Sequence, residues 1–230
     1  MAGLQTIIDR CNKIDINRRK VVGIQYTRNE IPRTSLTPTK NPWKITLTMP
    51  NSFRYSEARQ VIEELDTLDQ YQPQVVTFSD LPQLSWIFAY QGTMSPGQIN
   101  GITVSSFVGN QLVLQGVPPI SSNRLLFASN DFIQIKGYPY PFTSTTNVFR
   151  GTGSTVTITT NRPNIISNSV TGLGIVVGNN VSFNVFCPNM PTYSLIVGGY
   201  QYDNIQGIPI NNALIQWSDS FKLYEYVGAA

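Results

Sequence analysis

A chain of 230 residues can bury a sizeable core without metals or disulfide bonds, either as one large β domain or as two small domains. Only 13% of the residues are charged, and turn-forming residues are abundant, which favours short strands and a surface suited to contact with other proteins. Histidine is absent, which excludes ordinary Ser-His and Cys-His catalysis and removes the commonest transition-metal ligand. We therefore expect no enzymatic activity, no metal and no cofactor.

The charges are distributed unevenly along the chain. Residues 1–54 contain ten Lys or Arg and three acidic residues, a balance of +7. Residues 55–71 contain one Arg and five acidic residues, a balance of −4, and the remaining residues are neutral overall. Such a separation favours oriented association between oppositely charged surfaces over general adhesion.

The pattern of residues 1–19 predicts a poorly ordered N-terminal arm, with a short helix as the alternative. No apolar run typical of a secretory signal or a transmembrane helix follows, so we expect synthesis in the cytoplasm and no membrane insertion. Cys11 and Cys187 are the only cysteines, and neither has a companion at metal-ligand spacing. They are expected to be free buried thiols, although a disulfide or an interface role stays open.

Periodicity is clearest in three segments of the N-terminal half. VVGIQYT, after Lys20, predicts a strand, and WKITLTM, Trp43–Met49, alternates as an antiparallel strand buried on one face. FRYSEARQVIEELDTLDQY, Phe53–Tyr71, predicts the one convincing helix. Its apolar stripe consists of Ala58, Val61, Ile62, Leu65 and Leu68. Its acidic face consists of Glu57, Glu63, Glu64, Asp66 and Asp69.

Short β-like runs separated by turn residues occupy the chain after this helix, which is typical of a sandwich or barrel. The loop GVPPISSN, Gly116–Asn123, is the best candidate for a domain boundary. We therefore expect a mainly β protein with three parts. These are the arm, a β-sandwich domain with one flanking helix at residues 20–116, and an all-β second domain at residues 117–230 that packs back on the first.

The aromatic segment GYPYPF, Gly137–Phe142, suggests an alternative function. Carbohydrate-binding proteins use exposed tyrosines on a β scaffold to stack on sugar rings, so a carbohydrate-binding module for receptor recognition is the alternative. Pro139 and Pro141 lack backbone donors, however, and such a segment is suited to shielding a sheet edge. We therefore expect Tyr138, Tyr140 and Phe142 to form a loop that contacts protein or covers an edge.

The segment LLFASNDFIQIKGYPYPFTSTTNVFRGTGSTVTITTNRPNI, Leu125–Ile165, resembles a stretch of the second domain of structural tail proteins of tailed bacteriophages, in particular of the distal-tail and baseplate ring family. NPWKITLTMPNSFRYSEARQVIEELDTLDQ, Asn41–Gln70, resembles the strand and helix of their tube-like first domain. CPNMPTYSLIVGG and IQWSDSFKLYEYVG resemble the closing strands, so the resemblance covers most of residues 20–228.

This resemblance implies a non-enzymatic virion protein that forms a ring, usually sixfold, near the tip of the tail. Such a ring joins the tail tube to the baseplate and surrounds the channel through which DNA leaves. The implied partners are copies of the chain itself and other tail tube and baseplate proteins, with DNA passing without specific binding. The implied location is the tail or baseplate of the virion, after synthesis in the host bacterial cytoplasm.

We interpret the acidic helix face as one half of a contact with a neighbouring subunit or an adjoining ring, with a solvated face as the alternative. The basic half is expected among Arg18, Arg19, Lys20, Arg28 and Arg33. The triplet Arg18–Lys20 is not expected to line the channel, because each phosphate contact in a ring would retain the passing DNA.

Overall fold

The structure is a computed structural model, and it describes residues 3–17, 22–26, 32–36, 42–50, 53–67, 72–78, 88–118, 123–165, 169–196, 201–202, 209–210 and 213–226. As the sequence predicts, the protein is mainly β. The helices are α1 (Gly3–Arg10), α2 (Tyr55–Thr67) and α3 (Pro96–Asn100), with a short 3-10 helix at Gly178–Asn180. None of the helices in these residues is long and apolar enough to cross a membrane.

The strands are short and follow one another along the chain. In chain order they are β1 (Lys13–Asn17), β2 (Val22–Tyr26), β3 (Pro32–Leu36), β4 (Lys44–Thr48), β5 (Phe53–Arg54), β6 (Gln74–Thr77), β7 (Thr103–Val108), β8 (Gln111–Gln115), β9 (Leu125–Phe127), β10 (Phe132–Ile135), β11 (Phe142–Thr143), β12 (Val148–Phe149), β13 (Thr155–Thr159), β14 (Ile175–Val177), β15 (Ser182–Phe186), β16 (Tyr193–Ile196), β17 (Gln201–Tyr202), β18 (Pro209–Ile210), β19 (Leu214–Trp217) and β20 (Phe221–Glu225).

Two compact units divide the chain, and each combines stretches that are distant in sequence. The first unit contains Met1–Asn17, Trp43–Val76 and Asn184–Tyr226. The second contains Arg18–Pro42, Thr77–Phe183 and Val227–Ala230. The boundary suggested near Gly116 therefore lies inside the second unit. The reason is that β8, before this loop, pairs along its whole length with β13, which follows the loop.

A five-stranded sheet in the order β1-β4-β20-β15-β6 organises the first unit. The alternation predicted around β4 is confirmed, since Ile45 and Leu47 are buried while Lys44, Thr46 and Thr48 are half-buried on the other face. β20 alternates in the same way, with Phe221 and Leu223 directed to the core. One face of the sheet is therefore packed and the other is open.

The helix α2 packs on α1 and on β5 and β19, the latter two belonging to a second sheet in the order β16-β19-β5. Of the predicted apolar stripe, Ala58, Val61, Ile62 and Leu65 are all buried, which confirms it as far as Thr67. Leu68 lies outside the described residues. Phe53 and Arg54 form β5 rather than the first helical residues.

The N-terminal segment is part of the first unit rather than an arm. Leu4, Ile7 and Ile8, at helical spacing, are buried on one side of α1. Gly3 packs so closely that a β-carbon there would lie 3.2 Å from the β-carbon of Glu64 on α2. The apolar stripe of α1 is thus satisfied by docking on α2, a contact that a reading of residues 1–19 alone does not reveal.

In the second unit, three small sheets surround a hydrophobic cluster. The sheets are β11-β10-β14, β12-β9 and β13-β8-β7, and the hairpin β2-β3 is assigned to the same unit. Leu112, Leu114, Ile133, Phe142 and Ile158 are fully buried members of this cluster. The second unit therefore has a core of its own, built from alternating residues of several strands.

Candidate functional site

The acidic helix face is in part solvent-exposed. Glu63 and Asp66 are exposed on α2, whereas Glu64 is half-buried beside α1. Glu57 is part of α2, but the structure does not describe its side chain. Asp69 lies outside the described residues. At least Glu63 and Asp66 are therefore placed as an accessible charged contact requires.

The basic residues proposed to face this helix lie outside the region that the structure defines. Arg18, Arg19, Lys20 and Arg28 are outside the described residues, and Arg33 is described only as backbone in β3. The pairing of acidic helix and basic segment, and the exclusion of Arg18–Lys20 from a channel wall, therefore stay predictions.

The aromatic segment at Gly137–Phe142 is buried in the core of the second unit. Tyr138, Tyr140 and Phe142 belong to its hydrophobic cluster, and their rings contact one another at centroid distances of 4.8 to 5.9 Å. The guanidinium of Arg162 lies 4.5 Å from the centre of the Tyr140 ring and donates to the carbonyl of Pro141. These three aromatic rings are therefore unavailable for stacking on a sugar or for contact with another protein.

Buried polar groups hold this segment in place. The Tyr138 hydroxyl donates to Asn164 Oδ1 at 2.6 Å and accepts from the backbone N–H of Ile165 at 3.2 Å. Asn164 Nδ2 donates in turn to the carbonyl of Phe107 at 3.3 Å. The two tyrosines thus complete the hydrophobic core, and their hydroxyl groups have hydrogen-bond partners there.

A second buried polar site lies at the turn before β10. The carboxylate of Asp131 accepts from the backbone N–H groups of Ala128, at 2.8 Å, and Gln91, at 3.0 Å. Burial raises the pKa of Asp131, and these two hydrogen bonds offset part of the effect. Burial also raises the pKa of Tyr90, whose hydroxyl donates to the carbonyl of Leu126, to about 12. The hydrogen bonds of Asp131 and Tyr90 thus connect the segment around Gln91 to the segment that includes Leu126 and Asp131.

The two cysteines are free and buried, as predicted. Burial raises the pKa of Cys11 to about 11 and raises that of Cys187 as well. No three Cys, Asp or Glu side chains of the described chain are grouped to hold a metal ion.

Strand edges distinguish the surface of the first unit. The edge strand β1 is charged, because Lys13 and Asp15 are both exposed and their side chains lie 3.1 Å apart as an ion pair. Charges on an edge strand oppose pairing with another chain. This edge is therefore protected against pairing with another chain.

The edge strand β16 is the opposite case. It contains no charged residue, all four of its side chains are exposed, and Leu195 is 43% exposed. The Ser218 N–H donates to the Thr192 carbonyl at 2.8 Å, which makes this a hydrogen-bonded pair just before β16. Because such pairs alternate along an antiparallel ladder, the backbone N–H and C=O of Tyr193 and Leu195 point away from β19. Among the described strands, none pairs with this side of β16.

A second uncharged edge strand occurs at the far end of the five-stranded sheet. β6 has the sequence QVVT and is the terminal strand in the order β1-β4-β20-β15-β6. Val75 is 65% exposed, although Val76 beside it is buried. The edge strands β16 and β6 of the first unit thus differ from β1, because they are uncharged and have exposed aliphatic side chains.

Sequence reasoning did not identify these edges. The segments QVVTF and YSLIVGG predict strands, but an edge position depends on which strands pair across the fold. The available signal was the absence of any charge from Met190 to Gln201, since a charged residue is the usual protection of an exposed strand.

No protein-family model matches the chain. No curated protein matches it either.

Proposed function

We propose that this protein is a non-enzymatic structural component of a bacteriophage tail that assembles with copies of itself into a ring around the DNA channel. Its role is to connect the tail tube to the baseplate. The resemblance of the sequence to distal-tail and baseplate ring proteins motivates the proposal. A mainly β fold and the low content of charged residues are compatible with it.

The observation that carries the proposal is the pair of uncharged open edges, β16 and β6, on one unit. A ring requires heterologous contacts, in which one patch meets a different patch on the next copy. Two strands of different sequence, YSLI and QVVT, can supply these two patches. Pairing between them removes both edges, each of which would otherwise favour uncontrolled association.

The acidic face of α2 adds orientation to this contact. Each exposed ion pair contributes about 0 to 1 kcal/mol and is screened by salt, so charge selects the register while apolar area supplies affinity. Glu63 and Asp66 are the residues for a charge-reversal test, because Glu64 is partly covered by α1. Reversal of both to Lys should weaken association most at low ionic strength and leave the melting temperature unchanged.

Sedimentation velocity of the purified protein and of three matched variants tests the proposal. Leu195→Lys and Val75→Lys each place a charge on one open edge, and both should be monomers at concentrations where the unmodified chain assembles. Val108→Lys is the control, because Val108 is 76% exposed in the second unit and lies on neither edge. It should assemble like the unmodified protein.

Mixing the two edge variants distinguishes heterologous from isologous contact. Leu195→Lys retains an intact β6 and Val75→Lys retains an intact β16, so an equimolar mixture should form a one-to-one dimer and nothing larger. If the unmodified chain is a monomer at all accessible concentrations, the proposal of a ring has no basis. Mass spectrometry of purified phage particles tests the location separately, with the chain expected at a fixed ratio to the tail tube protein.

A further inference from the structure

The open face of the five-stranded sheet has an unusual composition. Phe186 on β15 lies directly opposite Tyr224 on β20, and Tyr224 lies directly opposite Lys44 on β4, so all three side chains share this face. The Tyr226 N–H donates to the Asn184 carbonyl at 2.7 Å, which extends the same face by one row. Three aromatic rings are therefore adjacent on a sheet surface, away from the core.

The rings of Phe186, Tyr224 and Tyr226 together form a shallow aromatic surface, which we call the platform. The centroids of Phe186 and Tyr224 are 6.1 Å apart with their planes inclined by 33°, and Tyr226 contacts Phe186 edge-on at 6.3 Å. Phe186 and Tyr224 are half-buried, and Tyr226 is 41% exposed. Partly exposed rings set side by side present apolar area together with two phenolic hydroxyl groups at its rim.

Among the described residues, the charges around the platform are mostly paired. Lys13 pairs with Asp15 at 3.1 Å, and Lys222 pairs with Asp219 at 2.7 Å. Lys44 lies 5.4 Å from the centre of the Tyr224 ring and adds a single positive charge. Uncharged side chains with hydrogen-bonding groups lie on the same face of the sheet. Asn17 is opposite Lys44, and Thr46 is opposite Lys222.

We propose that this face binds a neutral oligosaccharide, with sugar rings stacked on Phe186, Tyr224 and Tyr226. A pyranose ring has an apolar face that matches an aromatic ring, and its hydroxyl groups match the amide and hydroxyl side chains beside the platform. Nucleic acid fits the described residues less well, because binding to a polyanion requires several cations free to contact phosphates, and the charges described around the platform are mostly paired. The site is independent of ring formation, and it places glycan recognition on residues other than the buried Tyr138 and Tyr140.

Saturation-transfer-difference NMR with the full chain tests this site, because the method detects weak ligands of large assemblies. The probes are cellohexaose, maltohexaose and the hexamer of N-acetylglucosamine. At least one of them should receive saturation from the protein, with the strongest transfer to ring protons. No transfer to any of the three probes would overturn the proposal.

Matched tyrosine variants assign the binding to the platform. Tyr226→Ala removes an exposed ring and should raise the Kd for the bound probe by about two- to tenfold, the range typical of one aromatic contact. Tyr226→Phe keeps the ring and should retain at least half of the affinity. Tyr193→Ala removes a tyrosine of similar exposure, 39%, from β16 and should bind the probe like the unmodified chain.

Two other occupants are distinguished by the same variants. Salt-sensitive binding of a fifteen-residue oligothymidine that Tyr226→Ala abolishes, without any sugar binding, would show a nucleic-acid platform and refute the proposal. Loss of self-association in Tyr226→Ala with unchanged sugar binding would show that the face is an interface between copies, and it would also refute the proposal. The lysine variants test the edge contacts of β16 and β6 separately.

Discussion

The two units treat the edges of their sheets differently. In the second unit, loop backbone pairs with part of both edges of the β13-β8-β7 sheet, since the Thr145 N–H donates to the Thr159 carbonyl beyond β13 at 2.9 Å. The Val104 N–H likewise donates to the Leu173 carbonyl beyond β7 at 2.8 Å. In the first unit, β16 and β6 have no described strand on their outer sides and no charge.

This difference separates stability from association. Backbone groups that already pair with a loop gain nothing further from a neighbouring chain, whereas unpaired backbone groups on an uncharged edge remain able to bond. The second unit is therefore expected to determine the resistance of the chain to unfolding. The first unit is expected to determine its oligomeric state, and variants in the two units should affect different measurements.

The largest effect is expected from the core of the second unit. Phe142→Ala removes a fully buried ring that meets Phe107 edge-on at 4.8 Å, and it should lower the free energy of unfolding by about 3 to 5 kcal/mol. Phe149→Ala, at a ring that is 54% exposed in the same unit, is the control and should cost far less. Urea denaturation measures both, and equal losses would contradict the assignment of the core.

A smaller loss is expected at the turn before β10. Asp131→Ala leaves the N–H groups of Ala128 and Gln91 without their charged acceptor, so the free energy of unfolding should fall by about 2 to 4 kcal/mol. Asp131→Asn keeps one acceptor oxygen, so its free energy of unfolding should lie between those of the unmodified protein and Asp131→Ala. Asp219→Ala removes an exposed carboxylate and is the control; if it costs as much as Asp131→Ala, the turn does not depend on burial.

Proline substitutions on β16 separate the two sides of one strand. The Ser194 N–H points to β19 and the Leu195 N–H points to the open edge, because the ladder alternates. Ser194→Pro should lower the free energy of unfolding by about 1 to 2 kcal/mol through the lost ladder bond. Leu195→Pro should cost less stability yet abolish association, as measured by thermal denaturation and sedimentation. The reverse assignment of these two effects would show that β16 pairs on its other side.

The sequence predicted the local structure more fully than the arrangement. The alternation in β4 and the stripe of α2 depend on neighbouring residues, so Ile45, Leu47, Val61 and Leu65 were correctly expected to be buried. The docking of α1 on α2 and the pairing of β8 with β13 depend on residues far apart in the chain. Periodicity contains no such information, and for this reason the N-terminal arm and the boundary near Gly116 were expected instead.

The candidate site shows the same limit. Tyr138 and Tyr140 lie in a Pro-containing segment that reads as an exposed loop, yet Arg162 and Asn164 from a later segment bring partners for their polar groups into the core. Phe186, Tyr224 and Tyr226 occupy alternating positions in two predicted strands. Their alternation identifies a common face for each strand, but only the pairing of β15 with β20 brings the rings together.

The smallest perturbation is chemical modification of the two cysteines, one on each of two short segments of the first unit. A thiolate, not a thiol, reacts with iodoacetamide, and burial raises the pKa of Cys11 to about 11 from an ordinary value of 9.0. Because the folded-state pKa is the higher one, the contribution of this thiol to stability is fully present below pH 9. It is lost as the pH rises from 9 towards 11, since the unfolded chain releases its proton first.

At pH 8, alkylation of Cys11 in the native protein should accordingly be about a hundredfold slower than in the urea-unfolded chain, and its rate should rise about tenfold for each pH unit. Cys187 is more deeply buried, at 1% against 7% exposure, so it should react more slowly than Cys11. Intact-mass spectrometry of the single variants Cys11→Ser and Cys187→Ser assigns the two rates. If Cys187 reacts first, the end of β15 opens more readily than α1 detaches from α2. The first unit would then be held together more by its helices than by its five-stranded sheet.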